Sequence, residues 1–409
     1  MYMNIVLGVL VGLIVLMVLI TGHEFGHFIM ARRNGVTVKE FGIGFPPRAI
    51  AWTKGADGKW HKIPRKNWNK ARKSLIFSLN WLPIGGFCQM DGESDADERP
   101  GTFGSVSLWK KTKILFGGVL MNWLMAFVIL TFLAAIGMPK FIDNQFTIAG
   151  DTYIDAKPIT VDTVAENSPA EKAGIKSGDK IAQVVDVSAD VNNTTDIGEF
   201  ADLTEFNNSH AGQEVGYVVE RDGEKKLLTA TLNSADNSYL LGVSVSQTGL
   251  STYRSTWSAP IVGAVVTVQL TGETFRGFGT IIYNFVSGTL NQFSGDESTR
   301  EQGRTQIGQA GDSFTGPVGI LGTLFPSFVS TGFTNTLFLA ALISVSLACM
   351  NVLPIPALDG GRFLLIAIYR LRGKKLDQET EARIVSRAFL VLFAMIILIT
   401  ILDITRLFR

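Results

Sequence analysis

The stretch His23-Glu24-Phe25-Gly26-His27 has the residue types and spacing that could do chemistry. On a helix, residues four apart share a face, so both imidazoles can reach one ion. Neutral imidazoles are good zinc ligands, and the glutamate one position on can act on metal-held water rather than on the metal. Zinc lowers the pKa of its water to about 7, and Glu24 would take that proton and pass it to a leaving amine. Only four histidines occur in 409 residues, which makes a pair at this spacing informative. A polar cluster that merely closes a helix would not explain two His and one Glu in this order. A catalytic zinc usually takes three protein ligands and keeps one position open. His61 lies in a basic loop and His210 in an outer segment, so a carboxylate from another span is expected.

The element that carries this motif is a run of apolar residues over about 5–30, with no Lys or Arg before Arg32. About 20 helical residues cross the apolar core of a bilayer, and this run is long enough. A signal peptide would need a basic start and a small-x-small cleavage site, and neither is present. Further apolar blocks follow at 114–138, from about 336 through 353 to 369 with a proline interruption, and at about 388–402. The chain is 46% hydrophobic and only 18% charged, and the apolar residues gather at its two ends. A net charge of +1 gives no sign of a nucleic-acid partner. Cys88 and Cys349 lie far apart in unlike surroundings and are expected to be free thiols.

Basic residues orient the spans. Arg32, Arg33, Lys39, Arg48, Lys66, Lys70, Arg72, Lys73, Lys110, Lys111 and Lys113 are among those between spans one and two. Arg370, Arg372, Lys374, Lys375, Arg383 and Arg387 lie between spans three and four. Both loops are therefore assigned to the cytoplasm, and the termini and the long middle segment to the outside.

In that outer segment, residues 159–245 read as a small β-rich domain. Residues 161–164 and 214–220 alternate as strands do, and Arg221-Asp222-Gly223 signals a turn. Between them, Ser168-Pro169 predicts a capped helical turn, followed by Gly174 and by Gly178-Asp179 before another strand. Residues 257–288 are apolar but hold Gln269, Glu273 and Arg276. They are expected as amphipathic helices on the outer surface or against the core, since charge makes a span costly. Residues 294–313, rich in Gly, Ser and polar side chains, are expected as a mobile loop.

The third ligand is sought in Asn351-Val352-Leu353-Pro354-Ile355-Pro356-Ala357-Leu358-Asp359-Gly360-Gly361. The prolines break the helix and the paired glycines permit a tight turn. Irregular backbone at membrane depth is tolerated only where protein or a wet cavity buries it. Asp359 is the best candidate, with a plain helix cap for residues 363–369 as the alternative reading.

H-E-x-x-H in the first span, with N-x-x-P-x-P-x-L-D-G in a late one, closely resembles the site-2 protease family of intramembrane zinc metalloproteases. The order of spans, basic loop and outer domain is similar to its bacterial RseP-like branch. The run from Ser168 to Ile181 resembles the PDZ signature of bacterial proteases. The resemblance implies His23, His27 and Asp359 as ligands of Zn²⁺, Glu24 as general base, and Asn351 as a group holding substrate or oxyanion. Residues 79–90 resemble the family's membrane re-entrant β-hairpin, which makes Gly85, Gly86 and Phe87 substrate-binding candidates. Gly316-Pro317-Val318 resembles a family motif ahead of the third span. Some relatives carry two PDZ domains, and this chain has room for one.

The implied fold is a polytopic α-helical membrane protein of about four transmembrane helices with a re-entrant β-hairpin and an inserted β-rich PDZ domain. Its parts are transmembrane helix 1 (1–31), a cytoplasmic basic loop (32–112) with the hairpin at about 74–92, and transmembrane helix 2 (113–138). An extracytoplasmic PDZ domain (139–250) and extracytoplasmic amphipathic helices with a loop (251–333) follow. Then come transmembrane helix 3 (334–370), a cytoplasmic loop (371–387), and transmembrane helix 4 with the C-terminus (388–409). The implied partners are the lipid bilayer and single-span membrane substrates, such as an anti-sigma factor or a remnant signal peptide. Two other functions remain in view. An inactive adaptor would have no need of Glu24, and a membrane-anchored zincin acting on soluble proteins should carry its motif outside the span.

Overall fold

The computed structural model describes residues 2–55, 57–65, 75–142, 144–155, 159–187, 194–197, 200–234, 239–247, 251–313 and 315–407. Lys66, Lys70, Arg72 and Lys73 of the basic loop lie outside them, as do short stretches of the β-rich segment. The chain divides into two compact units, Met1–Thr131 with Gly263–Arg409, and Phe132–Val262.

The first unit opens with helix α1 (Tyr2–Arg33). Strands β1 (Val38–Lys54), β2 (Trp60–Lys62) and β3 (Ile76–Met90) form one sheet, and helix α2 (Leu108–Ile136) follows. Residues 86–89 of β3 pair with 40–43 of β1, residues 76–79 face the same stretch, and 76–79 also pair with 50–53. The expected hairpin over about 74–92 is therefore corrected, because β1 runs between its two arms and they do not pair with each other. Gly42 makes room for this, since a Cβ there would run into the Phe87 ring and reach 2.9 Å from the Asn80 amide. A stretch with Gly42, Gly44, Pro46 and Pro47 carries no alternating pattern, and from sequence it read as loop.

The second unit holds β4 (Met138–Pro139), β5 (Tyr153–Asp155), β6 (Ile159–Val164), α3 (Pro169–Lys172), β7 (Lys180–Asp186) and β8 (Thr194–Asp196). Helix α4 (Phe200–Ser209), β9 (Glu214–Arg221), β10 (Glu224–Thr231), β11 (Val243–Gln247) and β12 (Thr252–Arg254) complete it. The main sheet runs β10-β9-β7-β6-β11 with β8 beside β7. Its core includes Ile159, Val161, Ile181, Val184, Val215, Tyr217 and Val219. The Ser168 hydroxyl accepts from the Glu171 N–H at the start of α3, with Pro169 in the first turn. Asp222 and Gly223, at φ 54° and 82°, form the tight turn between β9 and β10.

The first unit resumes with α5 (Ala259–Asn291), α6 (Glu297–Asp312) and α7 (Pro317–Gly319). A π-helical turn (Ile320–Leu324), α8 (Phe325–Thr331), α9 (Phe333–Val352), α10 (Asp359–Leu371) and α11 (Gln378–Leu407) follow. The apolar stretch of 257–288 is one helix, and it packs on α2, where Trp123 donates to Thr271 at 3.2 Å. The loop expected over 294–313 is instead α6, capped by Asp296, whose carboxylate accepts from the Thr299 N–H. Gly303 serves packing, since a Cβ on it would lie 2.7 Å from the Gly288 carbonyl of α5. Gly316-Pro317-Val318 starts α7, and the Asp403 carboxylate of α11 accepts from the Gly319 N–H at 2.8 Å. Among the described residues, four helices are long and apolar enough to cross a membrane: Met3–Arg33, Leu108–Ile136, Phe333–Val352 and Gln378–Thr405.

Candidate active site

The motif occupies the sixth and seventh turns of α1, where helical spacing turns His23 and His27 to one side. Both are nearly buried, at 9% and 7% exposure. Helix α2 covers them, and glycines let it come close. A Cβ on Gly118 would stand 2.6 Å from Nε2 of both histidines, and Gly26 and Gly117 meet backbone to backbone. His27 Nδ1 donates to the Ile114 carbonyl at 2.8 Å, which leaves Nε2 as a lone pair. The buried Asn122 amide lies 3.3 Å from His23 Nδ1, while its oxygen has no partner among the described residues. Exchanging the two ends of that amide gives the oxygen an Nδ1–H to accept, and His23 Nε2 is then a lone pair too.

Asp359 arrives from the opposite end of the chain. Helix α9 stops at Val352, and the Pro354 and Pro356 region folds back so that α10 begins at Asp359. Gly360 and Gly361 are required there. A Cβ on Gly360 would sit 3.0 Å from the Leu353 carbonyl, and one on Gly361 would strike the Ile355 carbonyl. Asp359 Oδ2 ends 3.2 Å from His23 Nε2 and 3.4 Å from His27 Nε2, and the two Nε2 atoms are 3.1 Å apart. All three donors fall within 4.8 Å of one another. Oδ2 is buried and takes no hydrogen bond among the described residues.

Two nitrogen lone pairs and a carboxylate oxygen thus converge in a buried space, which is unfavourable unless a cation joins them. The spacings also fit. Zinc bonds of about 2.0–2.1 Å in a tetrahedron set neighbouring donors roughly 3.3 Å apart. Held by these three side chains, a tetrahedral zinc would keep one position open.

Glu24 faces another way, as a residue one position along a helix must. Its Oε2 accepts from the Cys88 N–H of β3 at 3.0 Å. Gly85 and Gly86 lie against α1 one turn before the histidines. A Cβ on Gly85 would be 2.8 Å from Ile20, and one on Gly86 3.0 Å from the Thr21 hydroxyl. The Phe87 ring stacks on Phe45 with centroids 6.4 Å apart. Asn351 sits in the last turn of α9, where its amide donates to the Leu347 carbonyl at 2.9 Å. His61 pairs with Asp57 at 2.9 Å, and His210 of the second unit with Asp186 at 3.6 Å. Cys88 and Cys349 are free thiols.

Sequence reasoning missed Asn122 and the Ile114 carbonyl. A lone Asn in the apolar run of α2, four residues after Gly118, was the available signal for the first. A main-chain carbonyl carries no residue identity and left no signal.

The model of peptidase family M50 matches residues 11–396. The chain belongs to peptidase family M50. That family is the site-2 protease family, so the protein is a metalloendopeptidase of the site-2 type with zinc as its cofactor, and a multi-pass membrane protein. This M50 protease is 26% identical to zinc metalloprotease RasP of Shouchella clausii, covering 96% of this chain and 97% of that one. It is 25% identical to the RasP of Oceanobacillus iheyensis, over 96% and 97%. Against the regulator of sigma-W protease RasP of Bacillus subtilis it is 23% identical, over 98% and 99%.

Proposed function

We propose that this M50 protease hydrolyses peptide bonds within the transmembrane segments of single-span membrane proteins. The observation that carries the reading is the convergence of His23, His27 and Asp359 within 4.8 Å, two of them on an apolar helix fit to cross a bilayer. In this reading those three side chains hold the zinc. When bound, zinc acidifies water and polarises the scissile carbonyl. Glu24 takes the proton from the attacking water and returns it to the leaving nitrogen. Its hydrogen bond from Cys88 holds the carboxylate in place between transfers. Asn351 has two amide hydrogens, one of which is bonded to Leu347, and the other would meet the substrate carbonyl or oxyanion.

The substrate must be extended to be cut, and residues 86–90 form an outer arm of the sheet where a strand could be added. Gly85, Gly86 and Phe87 would then lie along it. The five-strand order, the capped turn at Ser168 and a groove of about 460 Å³ between α4 and residues 239–245 support a PDZ-type domain in the second unit. With the basic loops inside, that domain lies outside the cell membrane and the zinc centre nearer the cytoplasm. The name of the B. subtilis relative makes a sigma-factor regulator one substrate class, beside remnant signal peptides.

Purified protein in lipid or detergent, given a single-span substrate, tests this. New termini should map inside the apolar stretch, and Glu24→Gln should abolish them. Cleavage only outside that stretch would overturn the intramembrane reading.

A further inference from the structure

Helices α1 and α2 border a second cavity of about 730 Å³ that the zinc centre does not use. Met30, Phe116, Leu120 and Trp123 give it an apolar wall. Arg33 and Lys113 stand at one end beside Asn34 and Thr112, and no acidic side chain is among the residues that line it. Neither cation forms an ion pair among the described residues, and both are exposed. The Lys113 ammonium lies 5.3 Å over the ring of Trp109, which is itself 67% exposed. Tryptophan and basic residues together mark the level where a bilayer changes from hydrocarbon to headgroup. From Trp109 to Trp123 the slot follows roughly 21 Å of helix, more than the ~15 Å apolar depth of one leaflet.

We propose that this slot binds one anionic phospholipid. Its phosphodiester lies against Arg33 and Lys113, and an acyl chain runs past Phe116 and Leu120 towards Trp123. Two unpaired cations at the mouth of an apolar slot call for an anion attached to a hydrocarbon chain, and a membrane supplies that molecule at high local concentration. The slot also touches the zinc centre indirectly. Gly117 lines it, and the next residue, Gly118, lies so close to both imidazoles that a Cβ there would clash with them. An occupied slot therefore braces the helix pair that carries His23 and His27.

The test is native mass spectrometry of the full-length protein in detergent, titrated with phosphatidylglycerol or with phosphatidylcholine of the same chains. A single phosphatidylglycerol adduct should form with roughly 30-fold preference, about fivefold for each cationic side chain. Arg33→Gln with Lys113→Gln, both exposed, should remove the preference and leave the bound zinc unchanged. Leu120→Trp, which fills the slot from its exposed side, should weaken the adduct of either lipid. Equal affinity for the two lipids in the unaltered protein overturns the proposal without recourse to any variant. So does a preference that survives the double substitution, or displacement of the lipid by a single-span substrate, which would assign the slot to a protein helix.

Discussion

Two clusters of buried ionisable groups lie in the same unit, and they differ in how they are satisfied. Around Asp95 every carboxylate oxygen has a donor. Its Oδ1 accepts from Lys111 and from Arg370 at 3.1 Å, and its Oδ2 from the Leu376 N–H at 3.3 Å. Glu381 accepts from Arg362 at 3.0 Å, from Ser94 at 3.2 Å and from the Asp95 N–H at 3.1 Å. Lys111 and Asp95 are fully buried, yet each finds its counterpart within the chain. Around Asp359 the opposite holds. Its Oδ2 is buried without a donor among the described residues, and two nitrogens at 3.2 and 3.4 Å are turned towards it with their lone pairs. A cluster whose carboxylates all find donors within the chain fastens elements together. A cluster of converging lone pairs is a place to bind a cation. The two are joined mechanically, since Arg362 lies three residues after Asp359 on α10 and ties that helix to Glu381.

Substitutions should separate these roles. Glu24→Gln should lower turnover by about 10²–10⁴-fold through loss of proton transfer, with melting temperature and zinc content unchanged. A Glu24→Gln protein that cleaves at the rate of the unaltered chain would remove that residue from the chemistry. Asp95→Asn leaves Lys111 buried without an anion and should cost about 3–5 kcal/mol of stability. The protein that remains folded at low temperature should still bind zinc and cleave. Asn122→Ala should weaken zinc binding by about 10–100-fold, because His23 loses the group that orients its ring. A competition titration with a chelator reads that change, and an unaltered affinity would make Asn122 a packing residue.

The smallest effect concerns the second unit. Burial raises the Asp179 carboxyl pKa, but the Arg221 guanidinium and the Lys176 N–H outweigh it and hold the group below the ordinary range. A depressed folded pKa contributes stability above the unfolded value, near 3.9, which is lost as pH falls through the folded one. Protection from hydrogen exchange across β7 and β9, relative to the intrinsic rate at each pH, should therefore fall below about pH 4. In Asp179→Asn that protection should be lower at pH 7 and respond less to acid.

The three side chains proposed to hold zinc were legible because their chemistry is local. His23 and His27 announce themselves by helical spacing, and Asp359 by the prolines and glycines that break a span around it. The four spans were legible by hydropathy, and the Ser168 cap by its Pro169. What stayed hidden depends on partners distant in sequence. The pairing of β1 between two arms of β3 rests on Gly42 giving way to Phe87. Helix α6 looked like a loop because Gly303, which allows it to touch α5, is a poor helix former in isolation. Asn122 is one polar residue in an apolar run, and its meaning appears only when α2 lies across α1.

The metal content of purified protein tests the central claim most directly. The unaltered chain and Glu24→Gln should each carry one zinc, and Asp359→Ala, His23→Ala and His27→Ala should carry almost none while keeping their helical content. An Asp359→Ala protein that retains a full equivalent of zinc would contradict the assignment of the third ligand.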